Sequence, residues 1–310
     1  MEVIHTDKNK ISPYHLDIYV PSCKIAFEYD GLYWHSIEGL KARNIKSVKL
    51  ELYHLFKTES CENKNIRLIH IFEDEWLFKQ KIVKEKIKYI LGKSYNLPKV
   101  YARKCFIKEI SSSRKNKFLN KYHLQGEDKS NINLGLYWKN PKTNKNKLVS
   151  VMTFCKPRRA LGQKNSKYDY ELSRFVNNSD YIVLGSFGKL FNYFKEKYEW
   201  NSLITYADRR WSQGDVYIKN GWFHHHNSKP NYWYTDGKER FHRFRFNKQH
   251  LKEYSQNPNS KYYEIFKNIY DDNKTEKQIM KESKFYTIYD CGNMVFIYNR
   301  KDNDEKKNYR

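Results

Sequence analysis

Asp17, Glu28 and Asp30 are the residues of this chain whose types and spacing point most directly to chemistry. They lie in Leu16-Asp17-Ile18-Tyr19-Val20 and Ile25-Ala26-Phe27-Glu28-Tyr29-Asp30-Gly31, two short runs on either side of Pro21-Ser22-Cys23-Lys24. Both runs alternate at period two, which predicts a β-hairpin closed by a four-residue loop. With Val20 facing Ile25, counting outward sets Asp17 directly opposite Glu28 on one face of the sheet. Like charges facing each other across strands are destabilising, so the pattern calls for a compensating cation. A hard divalent ion that takes carboxylate oxygens, Mg²⁺ or alternatively Mn²⁺, meets that need. Asp30 shares the face of Glu28 and would add a third oxygen. Gly31 lets the chain turn at the end of the strand. His35 then returns near the acidic end, as a ligand or as a group that activates water. The plain alternative is a solvated sheet face on which carboxylates fall in register by accident.

The elements that must hold these groups follow at once. Ile45, Val48, Leu52, Leu55 and Phe56 fit one stripe of a helix over 45–58. His54 and Lys57 fall roughly opposite that stripe and are neighbours on the helix surface. Either their face is solvated, or it looks into the acidic site and supplies a base or a transition-state cation. Residues 68–72 read as a short buried strand. Glu73, Asp74 and Glu75 open an amphipathic helix with Ile82, Val83, Ile87, Ile90 and Leu91 inward, where negative charge suits the N-terminus. Hairpin, helix, strand and helix fit an α/β core.

The run LDIYVPSCKIAFEYDGLYWH resembles the core of the PD-(D/E)xK nuclease superfamily, whose fold is restriction-endonuclease-like. More closely it resembles the branch that contains the very-short-patch repair endonucleases and the Hef-like phage homing endonucleases. The stretch YHLFKT resembles the corresponding helix of the phage enzymes. The resemblance implies a nuclease domain over residues 1–95. It implies Asp17 and Glu28 as metal ligands, Asp30 where the superfamily often has its lysine, and His35 as the histidine beside the metal. With His54 and Lys57 these make up the candidate catalytic set. The family commonly carries a helix with a glutamate before the first core strand. Here 16 residues precede Asp17, and Glu2 is the residue that would stand in.

At 310 residues the chain has room for two domains. Its net charge is +24, from 59 Lys and Arg against 35 Asp and Glu. Such an excess opposes compaction unless a polyanion neutralises it, nucleic acid before an anionic membrane. No run approaches the roughly 18 apolar residues of a spanning helix, and no signal-peptide pattern opens the chain. Aromatics are 17% of the residues, with 27 Tyr interleaved among Lys and Arg, a composition suited to stacking and phosphate contact. Cys23, Cys61, Cys105, Cys155 and Cys291 are scattered without a C-x-x-C. They argue against a disulfide framework or a structural zinc site, and for a reduced protein of the cytoplasm, the host cell's if the chain is phage-encoded. His224-His225-His226 reads as an exposed loop rather than a metal tract, because consecutive residues do not share a face.

A boundary is expected near Gly92 to Lys99, with a second α+β domain over 96–299 and a disordered charged tail over 300–310. Strands are expected at 147–154, 171–176 and 203–208. Leu184 to Lys189 lead into a helix with Leu190, Phe191, Phe194 and Tyr198, and a final hairpin turns around Cys291-Gly292-Asn293. This order loosely resembles the acetyltransferase-like fold of the GNAT superfamily, with Gly185 to Lys189 at its pyrophosphate loop. The stretch from ARKCFIKEI through Asn201 to Trp222 and DGKERFHRFRF more nearly resembles the accessory domain of phage homing endonucleases, which implies a targeting role. Arg209, Arg210 and Trp211 follow a strand end. Lys238, Arg240, Arg243, Arg245 and Lys248 alternate with Phe241, Phe244 and Phe246, which in an extended segment separates rings from charges. These eight residues are the candidate nucleic-acid contacts, of the kind that position a duplex without reading its sequence. An ordinary half-buried basic strand is the plain alternative.

The expectation is therefore a Mg²⁺- or Mn²⁺-dependent endonuclease of phage homing type, acting on double-stranded DNA without a membrane or a small-molecule cofactor. Three other readings stay open. One is a DNA-binding protein with a decayed nuclease core, acting as a regulator or a mobile-element passenger. Another is a mismatch-type repair nickase, and the last an acyltransferase.

Overall fold

The computed structural model describes residues 1–46, 48–158 and 167–300. The chain is α+β and forms two compact units, but their limits do not follow a cut near residue 95. One unit joins Met1–Phe78 to Lys229–Gly292; the other joins Lys79–Ser228 to the chain from Asn293 onward. The reason is local. Lys99–Tyr101, just past the linker-like run, is a strand paired in parallel with Ile182–Leu184, so the run is built into the second unit. The crossing falls instead at Lys79, where φ −132° and ψ 28° interrupt the helix Glu73–Ile90. The tail expected over 300–310 lies outside the described residues apart from Arg300, whose N–H donates to the Asn201 carbonyl at 2.8 Å.

The first unit is built on a four-stranded sheet of β1 (Ile4–Asp7), β2 (Leu16–Val20), β3 (Ile25–Asp30) and β4 (Arg67–Phe72), in that order. The β1–β2 and β2–β3 pairs are antiparallel, and β4 runs parallel to β3. Val20 faces Ile25 across a four-residue loop in which Pro21–Cys23 form a 3₁₀ turn and Lys24 takes φ 51°.

The single helix expected over 45–58 is instead α1 (Ile37–Ala42), an irregular stretch, a 3₁₀ turn at Leu50–Leu52, and α2 (Tyr53–Glu62). Of the expected stripe, Ile45 and Val48 still reach the core formed by Ile11, Tyr14, Leu16, Ala26 and Leu40, but as loop, and Leu50 of the 3₁₀ turn joins them. Helix α2 buries its polar face: His54, Lys57, Thr58 and Cys61 point inward, while Leu52 and Phe56 are 36% and 40% exposed. The cause lies on the sheet, whose inner face carries Glu28, Asp30 and His70. Buried polar groups of that kind need polar partners.

The later segment of this unit has its own core of Tyr234, Phe241, Phe246, Leu251, Phe266 and Phe285. Its strands Tyr232–Thr235, Arg240–His242 and Tyr286–Tyr289 form a three-stranded antiparallel sheet. An isolated bridge from Ser36 to Ile288, a hydrogen bond from Thr287 N–H to Glu38 Oε2 at 3.2 Å and a Tyr33–Tyr286 ring contact at 5.0 Å join the segment to the hairpin half.

The second unit holds a seven-stranded sheet. Its strands, in spatial order, are Phe223–Asn227, Asn293–Asn299, Ser202–Asp208, Tyr170–Asn177, Asn146–Cys155, Ile132–Lys139 and Cys105–Glu109. All neighbours are antiparallel except Ser202–Asp208 with Tyr170–Asn177. The helix Ser186–Lys197 lies between these two strands in sequence and buries Phe187, Leu190, Phe191 and Phe194. The final hairpin does not form. Tyr286–Tyr289 and Asn293–Asn299 join different sheets.

Candidate functional site

The β2–β3 ladder runs from Val20–Ile25 to Ile18–Phe27. At the next position, where Asp17 and Glu28 meet, side-chain oxygens accept the backbone donors. Tyr29 N–H donates to Asp17 Oδ2 at 2.8 Å, and Asp17 N–H donates to Glu28 Oε1 at 3.3 Å. The Asp17 side chain is 34% exposed, with His15 Nε2 3.5 Å from Oδ1. Glu28 is buried, and Lys57 Nζ of α2 donates to its Oε2 at 2.6 Å. The cation required by the facing carboxylates is thus, in the first place, the ammonium of Lys57. Burial pushes the Glu28 carboxyl up to about 8, with Asp17 and Asp30 adding to the rise and Lys57 opposing it. Burial alone would lower Lys57, but the Glu28 charge beside it raises the amine above its usual range.

Asp30 turns to a different set of partners. Its Oδ1 is 3.0 Å from His35 Nδ1 and 3.5 Å from His54 Nε2, and its Oδ2 is 3.0 Å from His70 Nδ1. His35 Nδ1 and His54 Nε2 are 2.9 Å apart. Burial would raise the Asp30 carboxyl; His54, His70 and His35 around it outweigh that and hold it well below the usual range. Burial also lowers the His35 imidazole, and lowers His70 to about 4. The three expected ligands therefore do not share one cage. Among the described residues, the group whose ligand atoms close to within 4.8 Å of one another is Asp30, His54 and His70; Asp17 and Glu28 are outside it.

His70 carries no role in the sequence reading, because it sits within the apolar run Leu68–Phe72. The one signal in the sequence is a histidine in the middle of an apolar strand; its place directly beside Glu28 comes only with the parallel pairing of β3 and β4. Thr58 and Tyr289, whose oxygens meet His70 and His54, gave no signal at all. The trio Glu73 to Glu75 does more than suit a helix end. Leu32 N–H donates to Glu73 Oε2 at 2.9 Å, and the other two carboxylates hold an arginine.

That arginine is Arg240, so it is not a free phosphate contact. Its Nε lies 2.9 Å from Asp74 Oδ1 and its Nη2 2.8 Å from Glu75 Oε1, with the guanidinium 3.9 Å from the centre of the Phe72 ring. Arg210 is also buried and pairs with Asp208 at 2.7 Å. Arg209 and Trp211 are buried, the latter beneath the Lys86 ammonium. These three fold into the second unit. The alternation over 238–248 does not persist as a strand either. Pairing ends at His242, Arg243–Phe246 form a 3₁₀ turn, and Asn247 caps the helix Lys248–Gln256. Phe241 and Phe246 go inward and Phe244 stays out, while Arg243 lies between the Tyr232 and Phe244 rings. Lys238, Arg245 and Lys248 are exposed, although Lys248 Nζ also donates to the Asp272 carbonyl.

In the second unit Gly185 takes φ 75° ahead of its helix, as a phosphate loop would require. Lys189, however, donates to the carbonyls of Ala102 and Cys105. His224, His225 and His226 lie on an exposed strand at the sheet edge. No helix among the described residues is long and apolar enough to cross a membrane. No protein-family model and no curated protein matches the chain.

Proposed function

We propose that the chain is a divalent-metal-dependent endonuclease that hydrolyses phosphodiester bonds in duplex DNA, with Asp17, Glu28 and Lys57 as its working residues. The observation that carries this reading is the 2.6 Å contact between Lys57 Nζ and Glu28 Oε2, both side chains 1% exposed, where Asp17 comes forward from the facing strand. A buried ammonium beside paired carboxylates is a poor device for stability alone, because apolar residues of similar volume do at least as well. With Glu28 ionised, the two carboxylates outweigh the one ammonium at a place that Asp17 opens to solvent, and a hard divalent cation suits such oxygens and would displace the Glu28 proton. Asp17 and Glu28 would hold that Mg²⁺ or Mn²⁺. When bound, the ion polarises the phosphate and lowers the pKa of the attacking water. Lys57 sets a fixed cation beside the position where charge grows on the phosphorane-like transition state. His35 and His54, turned to Asp30, take no part in this step. The net charge of +24 favours a polyanionic substrate, and exposed Lys238, Arg245 and Lys248 suit sequence-independent phosphate contact.

A second reading, a DNA-binding protein without cleavage, is favoured by the closure of the site: Glu28 and Asp30 are 1% and 0% exposed. Incubation with supercoiled plasmid in Mg²⁺, Mn²⁺ or EDTA, beside Asp17→Ala, separates the two. The nuclease reading expects metal-dependent cutting that Asp17→Ala loses while still shifting DNA in a gel. Nicked or linear product tells a nickase from a double-strand cutter, and a mismatched duplex tests the repair reading. Binding without cutting in either metal overturns the nuclease reading in favour of the second.

A further inference from the structure

Asp30, His54 and His70 meet where water does not reach: they are 0, 2 and 0% exposed. Hydrogen bonds around the two rings fix which nitrogens look inward. His54 Nδ1 lies 2.7 Å from the Tyr289 carbonyl oxygen, which can only accept. Nδ1 therefore carries the proton, and in the neutral ring Nε2 keeps a lone pair that faces Asp30 Oδ1 at 3.5 Å and His35 Nδ1 at 2.9 Å. Thr58 Oγ1 donates its one proton to the His54 carbonyl at 2.8 Å, so it accepts from His70 Nε2 at 3.1 Å. His70 Nδ1 is left with a lone pair, 3.0 Å from Asp30 Oδ2. That contact joins two acceptors. Asp30 Oδ1, equally buried, has no aligned donor of its own: His35 Nδ1, 3.0 Å away, also faces His54 Nε2 at 2.9 Å, and its one proton serves only one of the two. Buried polar atoms are nearly always partnered. With both rings neutral, the one proton of His35 Nδ1 cannot serve two nitrogen lone pairs and a carboxylate turned on one another, and a cation among them would.

We propose that Asp30, His54 and His70 form a binding site for a first-row divalent transition-metal ion, Zn²⁺ in the first instance. Imidazole and carboxylate donors suit such ions, whereas Mg²⁺ takes oxygen ligands and keeps several waters. Bonds of about 2.0–2.2 Å to a tetrahedral ion set ligand atoms roughly 3.3 Å apart. Asp30 Oδ1 and His54 Nε2 are 3.5 Å apart, and one ligand atom from each of the three residues lies within 4.8 Å of the others. The far nitrogens are held by a carbonyl and a hydroxyl, which is how metal-bound histidines are usually fixed in tautomer and orientation. Three protein ligands leave a fourth position. His35 lies beside two of the ligand atoms, its Nδ1 2.9 Å from His54 Nε2 and 3.0 Å from Asp30 Oδ1. The site uses none of Asp17, Glu28 or Lys57 and does not rest on the nuclease reading.

The test uses the full chain, stripped with chelator and titrated with Zn²⁺, and with Co²⁺ as an optical probe. One equivalent should be taken up per chain, with visible Co²⁺ bands and a Tm that rises with metal concentration. Asp30→Asn and His70→Gln, close in shape to the originals, should lose uptake and bands while keeping the far-UV circular dichroism of the apo protein. Asp17→Ala and His226→Ala should keep both. Thr58→Val retains the three ligands but removes the acceptor at His70 Nε2, and should weaken Zn²⁺ about 10- to 100-fold in competition with a chelator. The proposal falls if the chain takes up no Zn²⁺, if Asp30→Asn and His70→Gln bind as tightly as the parent, or if His226→Ala alone loses the metal. Should both ligand variants fail to fold, X-ray absorption on the Zn²⁺-loaded parent decides. Mixed nitrogen and oxygen ligation supports the site, and sulfur or all-oxygen ligation overturns it.

Discussion

Replacing Lys57 by methionine keeps an unbranched side chain of similar reach and removes its charge. Lys57 Nζ is 2.6 Å from Glu28 Oε2, and the other Glu28 oxygen has only the longer 3.3 Å bond from Asp17 N–H. Without the ammonium, a buried carboxyl is left with one weak donor. Removing one partner of a buried ion pair costs about 3–5 kcal/mol when the other must stay charged. An unmatched but neutral buried group costs about 1–3 kcal/mol. Burial pushes the Glu28 carboxyl up to about 8 even with Lys57 opposing the rise, so without Lys57 the carboxyl stays protonated at pH 7. The expected loss is therefore about 2–3 kcal/mol. Adding Glu28→Gln should restore part of it, giving a coupling energy of about 2 kcal/mol. Urea unfolding of the four proteins at pH 7 in EDTA closes the cycle, followed by circular dichroism and tryptophan fluorescence, whose transitions must coincide. A coupling below about 0.5 kcal/mol, the level of surface pairs, would refute the buried contact and mean that α2 turns another face to the sheet.

Arg240→Ala should destabilise the protein by about 3 kcal/mol, because it strands Asp74 and Glu75 beside Phe72, and should leave the salt dependence of DNA binding unchanged. Arg245→Ala and Lys248→Ala, at exposed positions, should each flatten the log–log salt slope by about one with little effect on stability. Binding measured across a NaCl series decides, and a flatter slope for folded Arg240→Ala would contradict its structural role. Asp128 lies in the second unit, bonded to Lys115 Nζ at 2.9 Å and to the Thr153 hydroxyl at 2.8 Å. Burial would raise its carboxyl, but Lys115, Ser173, Ser130 and Thr153 together hold it down at about 2. A lowered carboxyl stabilises above its unfolded pKa and loses that contribution as pH falls through the folded value. Asp128→Asn should therefore cost about 2 kcal/mol at pH 6, and the gap to the parent should close between about pH 4 and pH 2. Urea unfolding at pH 6 and pH 3 checks this, and a gap of constant size would count against it.

The hairpin register was legible because a period of two and a four-residue loop leave few ways to pair Val20 with Ile25, and a slip of one would turn every side chain over. The spacing of His54 and Lys57 was legible as well, but the direction of their face was not. That direction depends on Glu28, Asp30 and His70 lying together beneath α2, and the strand pairing that gathers them is not a local property. His70 was hidden by its apolar neighbours. The separation of rings and charges after Lys238 failed because it assumed an extended backbone beyond His242, where the chain coils instead. Arg209, Arg210 and Trp211 look like surface from sequence, since nothing local shows that the chain folds over them. The nested order of the two units was out of reach for the same reason: the strand Tyr286–Tyr289 completes a unit begun at the first residue.

That nesting gives the protein a timetable. Glu28 and Lys57 belong to the first 78 residues, so their contact can close while the rest of the chain is still being made. His54 waits for the carbonyl of Tyr289, 235 residues later. At about 5–20 residues per second on the ribosome the interval is roughly 10–50 s. A nascent chain, or one released early, carries the acid and the lysine but a His54 ring without its anchor. The histidine cluster thus reports that translation has passed Tyr289, and a chain that stops short of it leaves the cluster unset.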